Sequence, residues 1–416
     1  MAKTDRVVTG GVDTHKDVHV VAVIDERGEI LDTASFQARA SGYRELVSWL
    51  RSFGKLARVG VEGTGSYGAG LARHLANAGI EVVEVNRPNR QARRRRGKSD
   101  TVDAEAAARA ALNGEASVVP KAQRAVVESI RVLRVAFTSA RDSRTRVALK
   151  MRDLIVTAPD CLREVLEPLN TDERATRCAR FHVAGDLADP LLGTKLALRT
   201  LARRYEALST EMAEFEARLD ELTARANPAL RGANGVGPDV AAILLTAVGD
   251  NPERLRSEAA FAALCGVSPI EASSGKTVRH RVNRSGNRQA NQALWRIVMV
   301  RLSIGDPATK AYVERRRAEG KSLREIIRCL KRYVAREIYR HLVRPKPVPT
   351  GADLRVARRA AHLSLQSVAD ALHSWPSRIS ELERGRKHDA ALAHRYMAWL
   401  LAHGEDPPNT GCSFAV

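Results

Sequence analysis

Four acidic residues carry the chemistry this chain could do: Asp13, Glu62, Asp100 and Asp103. Asp13 ends the apolar run Val7-Val8-Thr9-Gly10-Gly11-Val12, and Glu62 ends Ala57-Arg58-Val59-Gly60-Val61. Asp100 and Asp103 lie in Lys98-Ser99-Asp100-Thr101-Val102-Asp103-Ala104, where a basic loop enters an Ala-rich helix. Carboxylates at two strand ends and one helix start can converge on one rim of a sheet. Converging carboxylates repel unless a cation sits between them, and hard oxygen donors suit magnesium or manganese. In a basic chain this combination suggests metal-assisted chemistry on nucleic acid.

The elements that must position these acids read as α/β. Arg6–Val12, Val18–Ile24 and Glu29–Ser35 read as three strands in a meander, Ser41–Phe53 as an amphipathic helix, Ala57–Val61 as a fourth strand, Ser66–Ala78 as a helix and Ile80–Val85 as a fifth strand. That order matches an RNase H-like (RuvC-like) fold, an analogy of architecture rather than of function. Arg87–Lys98 then holds six Arg and one Lys, including Arg93, Arg94, Arg95 and Arg96. A charged loop is often only solvated; because this one leads into Asp100, we read it as a phosphate clamp.

The whole chain has 416 residues, too many for one ordinary core. It carries 68 Lys+Arg against 48 Asp+Glu, a net charge of +20, which draws polyanions. The charge is uneven: residues 272–346 hold 20 Lys/Arg and 5 Asp/Glu. That localisation favours a nucleic-acid surface over general solubility. Aromatics are 4%, so base stacking is not expected to be the main mode of binding. The five cysteines form no CxxC pair, so neither a disulfide framework nor a zinc site is indicated. No signal peptide opens the sequence and no apolar run reaches about 18 residues, so a cytoplasmic, nucleoid-associated protein without a membrane partner is expected.

The fold class expected for the whole is α/β plus all-α, in four parts: an RNase H-like domain at 1–115, a helical coiled-coil region at 116–226, a helical domain at 227–345 and a helix-turn-helix at 350–403. Leu198, Leu201, Tyr205, Leu208, Met212, Phe215, Leu219 and Leu222 repeat with alternating spacings of three and four. That is a coiled-coil seam, which could pair within the chain or, the reading preferred here, between chains. Gly235-Val236-Gly237-Pro238 resembles a helix–hairpin–helix turn offering amides to phosphate, or is simply a tight turn. Arg344-Pro345-Lys346-Pro347-Val348-Pro349 reads as a stiff linker. Beyond it, Leu365–Leu372, a short turn and Pro376–Glu383 resemble the Cro/repressor-type helix-turn-helix. There Ser377, Arg378 and Ser380 would face the major groove and Gln366 would touch phosphate.

Other motifs compete. Gly63-Thr64-Gly65-Ser66-Tyr67-Gly68 matches a dinucleotide-binding fingerprint, but Glu62 before it would crowd a pyrophosphate. Ser274-Gly275-Lys276-Thr277 lacks the Gly a phosphate loop needs five residues earlier, where Ile270 stands. Ser273-Ser274-Gly275 could instead be a nucleophile loop, with Lys276, Arg279, Arg281 and Arg284 holding a phosphodiester. None of the 11 histidines forms a clear triad with a serine.

Gly11-Val12-Asp13-Thr14-His15-Lys16-Asp17, Val61-Glu62-Gly63-Thr64-Gly65-Ser66-Tyr67 and Lys98–Ala104 resemble the signature blocks of DEDD transposases of the insertion-sequence-110 family. Gly235–Pro238, Phe261–Pro269, Ser274-Gly275 and Arg284–Asn287 resemble that family's second domain. The resemblance spans roughly residues 5–345. It implies a RuvC-like domain whose acids Asp13, Glu62, Asp100 and Asp103 bind magnesium. It also implies a transposase domain with a serine nucleophile, recombination through a phosphoserine link to DNA, a noncoding bridge RNA that pairs with element ends and target, and a homo-oligomer, dimer or tetramer. The resemblance places that serine five residues after the proline of a Gly-Leu-Thr-Pro-like block, here Gly266-Val267-Ser268-Pro269, and so implies Ser274, with Ser273 one residue away. The alternatives are a RuvC-like nuclease that uses water, and a non-catalytic DNA-binding regulator.

Overall fold

In a computed structural model, residues 6–85, 99–277 and 279–403 are described. Arg93–Arg96 and Cys412 lie outside them. The described chain divides into two units, residues 1–125 with 248–256, and residues 126–247 with 257–416.

The first unit is built on a five-stranded sheet: β1 (Val7–Thr14), β2 (Val18–Ile24), β3 (Ile30–Gln37), β4 (Lys55–Glu62) and β5 (Glu81–Val85), in the order β3-β2-β1-β4-β5. β1, β2 and β3 pair antiparallel, and β4 and β5 continue the sheet parallel to β1. A doubly wound dinucleotide fold would be parallel throughout. One face carries Val12, Val21, Val59 and Val61 under α1 (Ala40–Ser52) and α2 (Ala69–Asn77), whose Leu46, Leu50, Leu71 and Leu75 complete the core.

Alternation along a strand puts the intervening residues on the opposite face. There Gly11 and Gly60 are register partners across β1 and β4. A Cβ on Gly11 would lie 2.2 Å from the Ala104 carbonyl oxygen, and one on Gly60 would lie 2.5 Å from that of Ala107. The two glycines let the backbone of α3 (Asp100–Leu112) rest directly on the sheet, with Ala104, Ala107, Ala108 and Ala111 buried. Residues 113–125 are not helical, in contrast to the helical region expected from 116. They run past the sheet edge, where the Glu84 amide donates to the Val118 carbonyl at 2.8 Å. Asn251 then holds them through the Pro120 carbonyl and the Ala122 amide.

The second unit is helical. α4 (Val126–Val156) and α7 (Pro190–Ala226) run antiparallel, since Arg144 meets Tyr205 and Ser209 while Ile155 shares a core with Leu198. The short helices α5 (Asp160–Leu166) and α6 (Thr171–Ala179) close this core, and Tyr205 donates to Asp172 at 2.6 Å. Leu198, Leu201, Tyr205 and Leu208 therefore pack within the chain. The heptad spacing is satisfied by any antiparallel partner, and α4 supplies one.

α8 (Pro228–Arg231), α9 (Pro238–Val248), α10 (Glu258–Leu264), α11 (Arg288–Ser303), α12 (Pro307–Ala318) and α13 (Leu323–Val343) follow, with a two-stranded hairpin of β6 (Ile270–Glu271) and β7 (His280–Arg281). Buried Asp239 pairs with buried Arg134 at 3.0 Å and with Arg296. A buried ion pair needs such complete pairing to persist, and here it joins α9 to α4 and α11. Four further helices, α14 (Gly351–Ala360), α15 (Leu365–Ala371), α16 (Pro376–Glu383) and α17 (Ala390–His403), share their own core around Leu354, Val368, Ile379 and Tyr396. No helix among the described residues is long and apolar enough to cross a membrane.

Candidate active site

Asp13 lies inside β1 rather than beyond it, paired with Val20, and Glu62 is the last residue of β4. Both fall on the face of Gly11 and Gly60, the face that α3 covers. Ser99 caps α3 by accepting from the Val102 amide, which sets Asp100 and Asp103 in its first turn. Carboxylates there also meet the positive end of the helix dipole. Seating α3 on the two glycines thus brings its acids to the rim that ends β1.

The Asp13 and Asp100 carboxylates flank one imidazole: His15 Nε2 lies 3.2 Å from Asp13 Oδ2 and 3.4 Å from Asp100 Oδ2. One ligand atom from each of Asp13, His15 and Asp100 falls within 4.8 Å of the others. Asp103 is buried, and its charge acts on Asp13. Burial first, then the neighbouring Asp103 and Asp100, push the Asp13 carboxyl above its ordinary range, while His15 pulls it back. Hard carboxylate oxygens under mutual repulsion are a donor set that a divalent cation would relieve. His15 stands in the first signature block, but nothing in its type or spacing marked it as a member of the cluster.

The Gly63–Gly68 segment is folded on itself. Ser66 and Gly68 both donate their amides to the Gly63 carbonyl, at 2.8 and 3.1 Å, and Thr14 Oγ1 donates to the Glu62 carbonyl at 2.8 Å. Two amides that a pyrophosphate would need are thereby used, and α2 begins only at Ala69.

In the second unit, Ser274-Gly275-Lys276-Thr277 forms the tight turn of the β6–β7 hairpin. Ser274 and Thr277 exchange backbone hydrogen bonds of 3.1 Å, and Gly275 supplies the φ of +56° that this turn needs at its first central position. The hairpin base is clamped by two glycines: a Cβ on Gly286 would lie 2.7 Å from the Gly266 amide nitrogen, and one on Gly266 would lie 2.4 Å from the Ser285 carbonyl oxygen. Ser274 is exposed at the tip. The Ser273 hydroxyl is engaged across the hairpin, accepting from the Arg279 amide at 3.2 Å. Lys276, Arg279, Arg281 and Arg284 are all exposed on the hairpin and its return.

In the C-terminal helices Gln366, Ser377 and Arg378 are exposed and Ser380 is half-buried. Gln366 donates to Asp370 at 2.7 Å, and Arg378 pairs with Asp389 at 2.7 Å. Ser377 and Arg378 line a cleft of about 1100 Å³ whose other wall is Asn234–Gly237 and Ile304–Pro307.

The sheet order, with Asp13 and Asp100 at one rim, is consistent with an RNase H-like domain. Comparison with known families agrees. Residues 10–158 match a DEDD family of IS110 type described as "Transposase", and residues 227–314 match the "Transposase IS116/IS110/IS902 family". The chain carries the two transposase domains of the IS110 family, in order and over more than half of its length. It is also 31% identical over 130 residues to the insertion element IS110 uncharacterized 43.6 kDa protein of Streptomyces coelicolor. That match covers 30% of this chain and spans 32% of the relative's length. Both matched families are families of transposases, enzymes that act on DNA.

Proposed function

We propose that the chain is a transposase and site-specific recombinase that breaks and rejoins DNA through a phosphoserine link. The observation that carries this reading is the gathering of Asp13 and Asp100 on the rim that ends β1, in a chain that also carries the second IS110 domain with an exposed serine. Asp13, Glu62, Asp100 and Asp103 would hold magnesium (or manganese). Bound there, the ion would neutralise phosphate charge and lower the repulsion met by an incoming oxygen.

Ser274 is the nucleophile of this reading. Its Oγ forms a bond to phosphorus, one P–O ester bond to the DNA breaks, and a DNA hydroxyl leaves with a proton. The hydroxyl of a second strand reverses the step and frees the serine. The Ser273 hydroxyl, held by the Arg279 backbone, is the less available of the pair. Lys276, Arg279, Arg281 and Arg284 steady the phosphodiester, and Arg93–Arg96 act as a second clamp. Element ends and target are selected with a noncoding bridge RNA, in a homo-oligomer. The C-terminal helices form a helix-turn-helix that adds a separate DNA contact through Ser377, Arg378, Ser380 and Gln366.

A denaturing gel of the chain with labelled element-end DNA and its RNA tests the proposal. A covalent adduct is expected with magnesium, retained in Ser273→Ala and absent in Ser274→Ala and Asp13→Ala. Cleavage without any adduct would assign water as the nucleophile; no metal-dependent cleavage at all would leave only a binding protein.

A further inference from the structure

Behind the serine hairpin the second unit holds a cleft of about 750 Å³, lined by eight Lys or Arg and one carboxylate, Glu325. The hairpin base forms one wall, through Ser268-Pro269 and His280-Arg281, and α12 and α13 form the other. Glu325 stays charged in a capping box with the Ser322 amide and hydroxyl at 3.0 and 2.7 Å, but one carboxylate does not offset eight cations. Arg316 Nε and Arg332 Nη1 are buried without a hydrogen-bond partner among the described residues. Arg316 is paired with Glu319 through Nη1, and its Nε and the Arg332 Nη1 remain donors that an anion would satisfy.

The cleft also carries an aromatic surface. Tyr312 and Tyr333 meet edge to face at 5.3 Å between centroids, with Arg315 and Arg316 over the Tyr312 ring. Tyr333 is 53% exposed. Rings beside arginines make a platform on which a nucleobase stacks. The volume is that of a pocket for a drug-sized ligand, which admits a single strand and not a duplex.

We propose that this cleft holds the single-stranded flank of the DNA strand that Ser274 engages, with phosphates on Arg316, Arg328 and Arg332 and a base against Tyr312 and Tyr333. From Ile270 to Ser274 the hairpin spans about 13 Å at roughly 3.3 Å per residue, so the site lies a few nucleotides from the attacked phosphate. Only the identity of the strand rests on the serine reading; the binding itself does not.

The test uses the full chain carrying Ser274→Ala, titrated with a short fluorescent single-stranded DNA over a range of salt. Adding Arg316→Ala and Arg332→Ala together should weaken binding at least tenfold and lower the salt slope by about 1.4, at roughly 0.7 per phosphate lost. Tyr333→Ala, at an exposed position, should leave thermal stability unchanged and weaken binding about tenfold, within the range for one stacked base. Unchanged affinity in Tyr333→Ala overturns the proposal, as does tenfold tighter binding of a matched RNA or equal competition by duplex DNA. If the wild-type chain forms no adduct while these losses remain, the serine reading fails and the cleft stands.

Discussion

Asp13 is the residue on which the first unit turns. Its carboxyl is buried, with Asp103 and Asp100 close enough to raise it further, so keeping it ionised costs folding stability. Asp13→Asn is therefore expected to raise the melting temperature in metal-free buffer while abolishing DNA cleavage. Magnesium should raise the melting temperature of the wild type and not of the variant. Differential scanning fluorimetry with and without the ion reads both effects, and a variant that still responds to magnesium would remove Asp13 from the ligand set. At Ser273 the hydroxyl bridges an exposed hairpin. Ser273→Ala should cost less than about 1 kcal/mol in chemical denaturation, the net worth of an ordinary hydrogen bond.

At the scale of elements, the fit of α3 on the sheet decides whether the acids meet. A Gly60→Val side chain would collide with the Ala107 carbonyl and the Ala111 Cβ. Overpacking against backbone has no soft neighbour to yield. A loss of about 3 kcal/mol is expected, at the upper end of the usual range, together with loss of the magnesium-induced shift. In the C-terminal helices, Arg358 forms a two-pronged pair with buried Glu383, and Tyr396 donates to the same carboxylate at 2.7 Å. Burial opposes ionisation of Glu383, but Arg358 and Tyr396 outweigh it and hold the carboxyl below its ordinary 4.5. A depressed folded-state pKa means that this stabilisation is present above 4.5 and fades as pH falls through the folded value. Hydrogen exchange over residues 351–403 should accelerate in that acid range. Glu383→Ala should expose the same segment at neutral pH, at a cost of about 3–5 kcal/mol for a broken buried pair.

Over the whole molecule, charge and docking set what each part can reach. The C-terminal helices do not hang free within their unit: the Ala390 amide donates to the Gly232 carbonyl at 3.0 Å, and His388 lies 3.7 Å from Asp220. Through this docking Ser377 and Arg378 line one wall of a cleft shared with Asn234–Gly237 and Ile304–Pro307. A Cβ on Gly232 would lie 2.7 Å from the Ala390 nitrogen, so Gly232→Val should release the module. The Ala390 amide, freed from the Gly232 carbonyl, should then exchange its hydrogen faster. An unchanged exchange rate would mean that the contact does not hold the module.

Much of this was legible in the residue order. Alternating valines and turn glycines marked the strands, and the acids at their ends marked the rim, because period and punctuation are local properties. Pro376 likewise opens its helix at the first position. What residue order could not show was which elements meet. Gly11 and Gly60 read as ordinary strand glycines until register made them neighbours beneath α3. His15 carried no signal of its own until two carboxylates flanked it. The coiled-coil seam could not name its partner, since heptad spacing is the same for a helix of this chain or of another. Arg316 and Arg332, scattered through a basic stretch, became one cleft only when α12 and α13 packed beside the hairpin. Local pattern was enough for the elements and for the acids as a class; the site's membership was decided by tertiary packing, because distances between residues far apart in sequence exist only once the chain has folded.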